Sequence, residues 1–308
     1  MSEILLAAAA KRGVPVPPGP LDADALAELA AAIFVRPMRG ARKVPRELGY
    51  LETARPTTLR TSHGELAAWE WSPPNSVIRS LDAGGAEVLV GQTHGGVDVS
   101  GAPLVGLVHG WEGHGAQLGA FAVPLAAAGF RVLAFDLPGH GESPGDEAHV
   151  PLVARTLAEI EREAGKFFAL IGHSMGAAGA AMSTTLGVAP RGLVLLAPPQ
   201  SQLERLDRVA NRLQLAGELR EKFFAAVERR TASRNADVDM RVVARAAPCA
   251  LRVFHDPADE DASFAASEEF VELWRGARLV SVPGRGHYRI LATPEIVRQA
   301  VEFLSGLR

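Results

Sequence analysis

From Pro103 onward the chain alternates short apolar runs with longer amphipathic ones, and that rhythm permits few folds. Leu104–Val108, Arg131–Phe135, Phe167–Ile171 and Gly192–Leu196 read as strands. Leu118–Ala128, Leu152–Glu163 and the stretch from Ala177 read as the helices between them. A strand that is apolar on both sides must be covered on both faces. The pattern therefore predicts an α/β fold, a mostly parallel sheet flanked by helices. Leu251–Phe254 and Arg278–Val282 resume the sheet, with helices at Glu268–Trp274 and Pro294–Leu304.

Two segments stand outside this rhythm. After Pro198-Pro199 the pattern stays helical for about fifty residues, starting from the capping box Ser201-x-x-Glu204. Leu203, Leu206, Val209 and Leu213, then Leu219, Phe223 and Val227, recur at helical spacing. Residues 200–247 thus read as a small helical cap inserted between core segments 59–199 and 248–308, with an apolar face expected to roof the strand ends. Residues 1–58 read as an N-terminal helical extension. Ser2 is placed to cap a first helix, Val14–Pro20 breaks it, and Asp22 caps a second with Leu26, Leu29 and Ile33 on one face. Arg36, Arg39, Arg42, Lys43 and Arg46 follow. They suit either an anionic partner or, as favoured here, a solvated linker strapped over the core. Thr57–Ser62 and Glu65–Trp71 read as an antiparallel hairpin. Residues 73–101 read as an inserted surface hairpin with one strand at Glu87–Val90.

Composition removes several classes of function. A net charge of −3 carries no sign of nucleic-acid binding. No apolar run reaches the ~18 residues of a membrane span. Glu3 precedes the apolar Ile4–Ala10 where a signal peptide would carry a positive charge, and Lys11-Arg12 closes it early, so a cytoplasmic protein is expected. Cys249 is the single cysteine, which leaves no disulfide framework and no thiolate metal site. No cofactor or metal is expected: His109 and His114 lack the carboxylate partners of a ligand set.

Four loops that follow predicted parallel strands carry the polar residues, and ligands of such sheets bind at the carboxyl ends of the strands. Gly172-His173-Ser174-Met175-Gly176 fits a strand–turn–helix elbow. Such a turn holds its serine in a strained conformation, and glycines two residues to either side allow strand and helix to pass closely. His109-Gly110-Trp111-Glu112-Gly113-His114 can aim a backbone N–H at that serine. The Trp111 and Met175 N–H groups are the candidate oxyanion hole. Asp136, before Leu137-Pro138-Gly139-His140-Gly141-Glu142-Ser143, suits the fixing of its own turn. His255-Asp256-Pro257-Ala258-Asp259-Glu260-Asp261 offers four acids that could orient a histidine, and Gly286-His287 offers the histidine.

Jointly these motifs resemble the α/β-hydrolase superfamily, in its esterase/lipase-like branch, from about residue 57 to the end. The resemblance implies Ser174 as nucleophile, His287 as base and Asp259 as the orienting acid, in the order Ser, Asp, His. Two departures bear on the acid. Asp256 stands where glycine often follows the histidine, and Asp261-Ala262-Ser263 replaces the usual Val-Pro ending. The expected activity is hydrolysis of carboxylic esters or thioesters of small to medium apolar acyl substrates through an acyl-serine. Acyltransferase, perhydrolase, peptidase and carbon–carbon bond hydrolase chemistry share the same residues. A serine nucleophile argues against dehalogenases and epoxide hydrolases. From a different class, a hydrolase fold can serve as a non-catalytic ligand sensor or scaffold. Because Ser174, Asp259 and His287 all lie in the later core, removal of residues 1–56 is expected to leave some activity.

Overall fold

The structure, a computed structural model, describes residues 2–40, 44–73, 79–81, 87–89, 101–246 and 249–308. Helices α1 (Ser2–Arg12), α2 (Ala23–Val35) and α3 (Pro45–Leu51) come first. The capping expected of Ser2 lies outside what the structure describes, and Asp22 Oδ1 caps α2 by accepting the Ala25 N–H at 2.8 Å. An antiparallel hairpin follows, β1 (Arg55–Thr61) with β2 (Gly64–Trp71), Thr61 opposite Gly64. The sheet therefore takes in the last residues expected in the extension. A separate two-stranded antiparallel sheet joins β3 (Arg79–Leu81) to β4 (Glu87–Leu89). Val90, the expected end of that strand, lies outside the described residues.

Strand and helix then alternate: β5 (Leu104–Val108), α4 (Gly119–Ala127), β6 (Arg131–Phe135), α5 (Val150–Ala164), β7 (Phe167–His173), α6 (Met175–Ser183) and β8 (Gly192–Leu196). Three helices interrupt, α7 (Gln202–Arg212), α8 (Gly217–Thr231) and α9 (Met240–Ala246). The chain closes with β9 (Ala250–His255), α10 (Phe264–Leu273), β10 (Arg278–Ser281), the short α11 (Gly286–Arg289) and α12 (Pro294–Ser305). α10 begins four residues before its expected start because Ser263 Oγ accepts the Ala266 N–H and caps it.

The eight strands of the main sheet run in the order β1-β2-β6-β5-β7-β8-β9-β10. β2 lies antiparallel to β6, and every pair from β6 to β10 is parallel. Each apolar strand feeds both layers by alternation. Leu104, Leu133, Leu193 and Leu195 pack into one buried cluster. Val105, Leu107, Val132 and Val194 pack into the other. Cys249 belongs to the first, and burial raises its thiol pKa to about 11. No helix among the described residues is long and apolar enough to cross a membrane.

The two helical additions pack on each other, which the sequence did not reveal. α2 buries most of its surface, with Leu26, Ala27, Leu29, Ala30, Ile33 and Phe34 inside, and leaves Asp24 and Glu28 exposed. An apolar face that broad needs cover from more than one neighbour. α7 and α8 supply it: Leu206, Leu213, Phe223 and Val227 share one cluster with the residues of α1 and α2. Phe34 meets Phe223 edge to face at 6.1 Å. The apolar face expected to roof Ser174 is thus largely spent on the extension, and Leu203 points outward, 37% exposed. The basic stretch is tied down onto the core. Arg36 pairs with Asp146 at 3.1 Å, and Arg39 donates to the carbonyls of Ser143 and Gly145. Arg42 and Lys43 lie outside the described residues.

Removing residues 1–51, which spares β1, is expected to expose Leu206, Leu213, Phe223 and Val227 together. An apolar patch of that kind drives aggregation. Soluble yield and melting temperature report the result. A soluble truncation with the full-length melting temperature would contradict the packing described.

Candidate active site

β7 ends at His173 and α6 starts at Met175, so a single residue makes the turn. Ser174 sits at φ 49°, ψ −120°, a region that a residue with a side chain occupies only under strain. The neighbouring glycines explain how the turn closes. A Cβ on Gly172 would lie 2.7 Å from Ala177 Cα, and one on Gly176 would lie 2.3 Å from the His109 carbonyl oxygen at the end of β5. Gly176 therefore lets α6 pack on the neighbouring strand. Gly176→Ala is expected to cost about 1–3 kcal/mol or more, since backbone cannot retreat as a side chain can. Thermal melting measures it, with Gly49→Ala as control, where an added Cβ meets nothing within 4 Å.

The strands β5, β7, β9 and β10 are parallel, so Trp111, Ser174, Asp259 and His287 all follow carboxyl ends on one edge of the sheet. His287 Nδ1 lies 2.8 Å from Asp259 Oδ2, and the Asp259 carboxylate is fully buried. Asp259 Oδ1 accepts the N–H groups of Asp261 and Ala262 at 2.8 and 3.0 Å. Burial pushes this carboxyl up, but hydrogen bonds from His255, His287 and Ala262 outweigh it and hold the group well below the ordinary carboxylate range. Asp256 does a different job. It accepts the N–H groups of Ala258 and Gly286 and so ties down the loop that carries His287. His173 Nε2 donates to the His287 carbonyl at 2.9 Å, and the two rings lie 4.7 Å apart. The residue before Ser174 thus holds the loop that carries His287. Among the described residues Ser174 Oγ has no hydrogen-bond partner, and His173 links the two loops through this bond and its ring contact with Tyr288.

The loop after β5 is fixed by two buried histidines. His109 Nδ1 donates to the Gly110 carbonyl, and its Nε2 accepts the Leu137 N–H at 2.9 Å. His140 Nδ1 donates to the Pro138 carbonyl, and its Nε2 accepts the Glu112 N–H at 3.0 Å. Those tautomers follow from the hydrogen-bond network. Burial pushes both pKa values down to about 3, so both rings are neutral struts. Asp136 accepts the N–H groups of Gly115 and Glu142 and fixes the turn after β6, while burial raises its pKa. Glu112 itself stands at φ 56°, and its carboxylate receives Arg12 and the Met38 N–H at 3.0 and 3.1 Å. The extension therefore reaches into this loop. Among the described residues neither the Trp111 nor the Met175 N–H donates a hydrogen bond. Asp259, Asp261 and His287 bring one ligand atom each within 4.8 Å of one another, but Asp259 and His287 already bond each other.

A cleft open to solvent lies beside Met175. Phe34, Val150, Met182 and Met240 make most of its wall apolar, and Arg205 puts one cation into it. Arg205 and Asp239 thus put charge into a cleft whose cap face was expected to be apolar. Sequence reasoning missed Phe34, Arg205, His255 and the loop-holding role of Asp256. For Arg205 a signal existed: it falls three residues after Gln202 and four before Val209, on the inward side of α7.

Residues 107–300 match the alpha/beta hydrolase family. No curated protein matches the chain by sequence. Among solved structures, an esterase from Pyrococcus furiosus is similar at 18% identity and a TM-score of 0.56, covering 89% of this chain and 97% of its own. A thermophilic esterase from Thermogutta terrifontis is similar at 21% identity and a TM-score of 0.55, covering 82% of this chain and 99% of its own. At these identities the likeness concerns the fold.

Proposed function

This chain belongs to the alpha/beta hydrolase family, and from that premise we propose that it is a serine hydrolase cleaving carboxylic esters or thioesters of small to medium acyl groups. The observation that carries the reading is the buried 2.8 Å contact between His287 and Asp259, on the same sheet edge as a serine in a strained elbow. With Nδ1 bound to a carboxylate, His287 keeps its proton there and Nε2 remains free to take one. In the proposed cycle Ser174 Oγ attacks the acyl carbonyl and passes its proton to His287. Asp259 stabilises the imidazolium, and the Trp111 and Met175 N–H groups receive the oxyanion. The leaving group takes the proton, an acyl-serine remains, and water returns along the same route.

A fluorophosphonate probe tests this directly. The wild-type chain should be labelled, Ser174→Ala should not, and p-nitrophenyl acetate and butyrate should be hydrolysed by the first alone. Acyl-CoA thioesters in parallel separate esterase from thioesterase preference. A folded protein that takes no label and cleaves neither class would instead be a ligand sensor on a hydrolase fold.

A further inference from the structure

Arg205 projects from the first turn of α7 into the cleft beside Met175. Its guanidinium carbon lies 4.4 Å from the centre of the Trp111 ring and 5.4 Å from that of Phe34. Two aromatic faces thus fix the cation in place without neutralising it. The carboxylates around it are engaged elsewhere: Glu112 holds Arg12 at 3.0 Å, and Asp239 holds Arg241 at 2.7 Å. Among the described residues Arg205 makes no hydrogen bond and no ion pair. Burial, with Arg208 and Arg12 nearby, lowers its pKa to about 10, partly offset by Glu112, so it stays charged at neutral pH. A partly desolvated, unpaired charge is costly, and an arriving anion would relieve that cost. Trp111 ties the position to the reaction centre, since its ring touches Arg205 while its unpaired N–H is a candidate oxyanion donor.

We propose that Arg205 is the anion-binding residue of this pocket, and that the preferred substrate is a short ester carrying a carboxylate at its far end. This rests on the hydrolase reading above and narrows its substrate. The apolar wall suits the methylenes between the ester and the carboxylate, and Arg205 suits the terminus. A planar guanidinium can bind a carboxylate through two parallel hydrogen bonds, which lysine cannot reproduce.

The test compares mono-p-nitrophenyl glutarate with p-nitrophenyl pentanoate, and 4-acetoxybutyrate with butyl acetate, so that the carboxylate sits on the acyl or the alcohol side. The wild type should prefer the anionic ester of at least one pair. Arg205→Met should lower kcat/KM for that ester by about 10- to 100-fold more than for its neutral partner, the factor of one charge-assisted pair. Arg205→Lys should fall between. Calorimetric titration of Ser174→Ala with monomethyl glutarate reads binding without turnover, and the added Arg205→Met change should abolish it. Equal losses on charged and neutral esters, or no anionic preference in the wild type and no calorimetric binding, would overturn the proposal and leave Arg205 as a packing residue. If every ester fails while Arg205-dependent binding persists, the hydrolase reading falls and the anion site stands. If Arg205→Met does not fold by circular dichroism, the Lys variant and the wild-type preference decide.

Discussion

Ser174→Ala is expected to lower kcat by about 10⁴–10⁶, the range set by removal of nucleophiles in serine hydrolases. The protein should stay folded. Ser174 is half-buried, and its hydroxyl contributes no hydrogen bond among the described residues. Its backbone is the strained part, and alanine relieves none of that strain, because it also carries a Cβ at φ 49°. The melting temperature should therefore move little while turnover collapses. A variant retaining more than a tenth of the wild-type rate would remove Ser174 from the nucleophile role.

The second large effect separates two aspartates three residues apart. Asp259→Asn should cost about 10²–10⁴ in kcat, because an amide facing His287 Nδ1 favours the wrong tautomer. Asp256→Asn should act on a different observable. Asp256 is 1% exposed and accepts backbone N–H groups from the loop of His287. An amide there leaves a buried donor facing a donor, costing about 1–3 kcal/mol of stability, with a smaller kinetic loss through a loosened loop. Steady-state rates beside melting curves distinguish the two. A large kinetic loss in folded Asp256→Asn with near-normal Asp259→Asn would mean the acid was assigned to the wrong carboxylate.

The sheet was legible because its strands are apolar on both sides, and only a doubly covered parallel sheet accommodates that. The order of motifs placed Ser174, Asp259 and His287 on one edge for the same reason. What could not be read were relations between distant segments. Nothing local in Leu26 or Phe34 says that their partners are Leu206 and Phe223. Periodicity identifies a face to be buried, not what buries it. The cap was accordingly aimed at the serine when much of its apolar face belongs to α2. Arg205 was hidden by the same habit of reading: a cation on an amphipathic helix is taken for the wet side.

The pairing of α2 with α8 also bears on how the chain comes off the ribosome. Glu28 and Arg229, bridged at the rim of that contact, are 201 residues apart. At roughly 5–20 residues per second, α2 waits on the order of 10–40 s for its partner to be made. Throughout that interval the broad apolar face of α2 has no permanent cover. Nascent chains of this protein should therefore depend on holding factors that bind apolar helices. Synthesis at raised temperature, or with slowed elongation between α2 and α8, should lower soluble yield well before it lowers the melting temperature of the molecules that do fold.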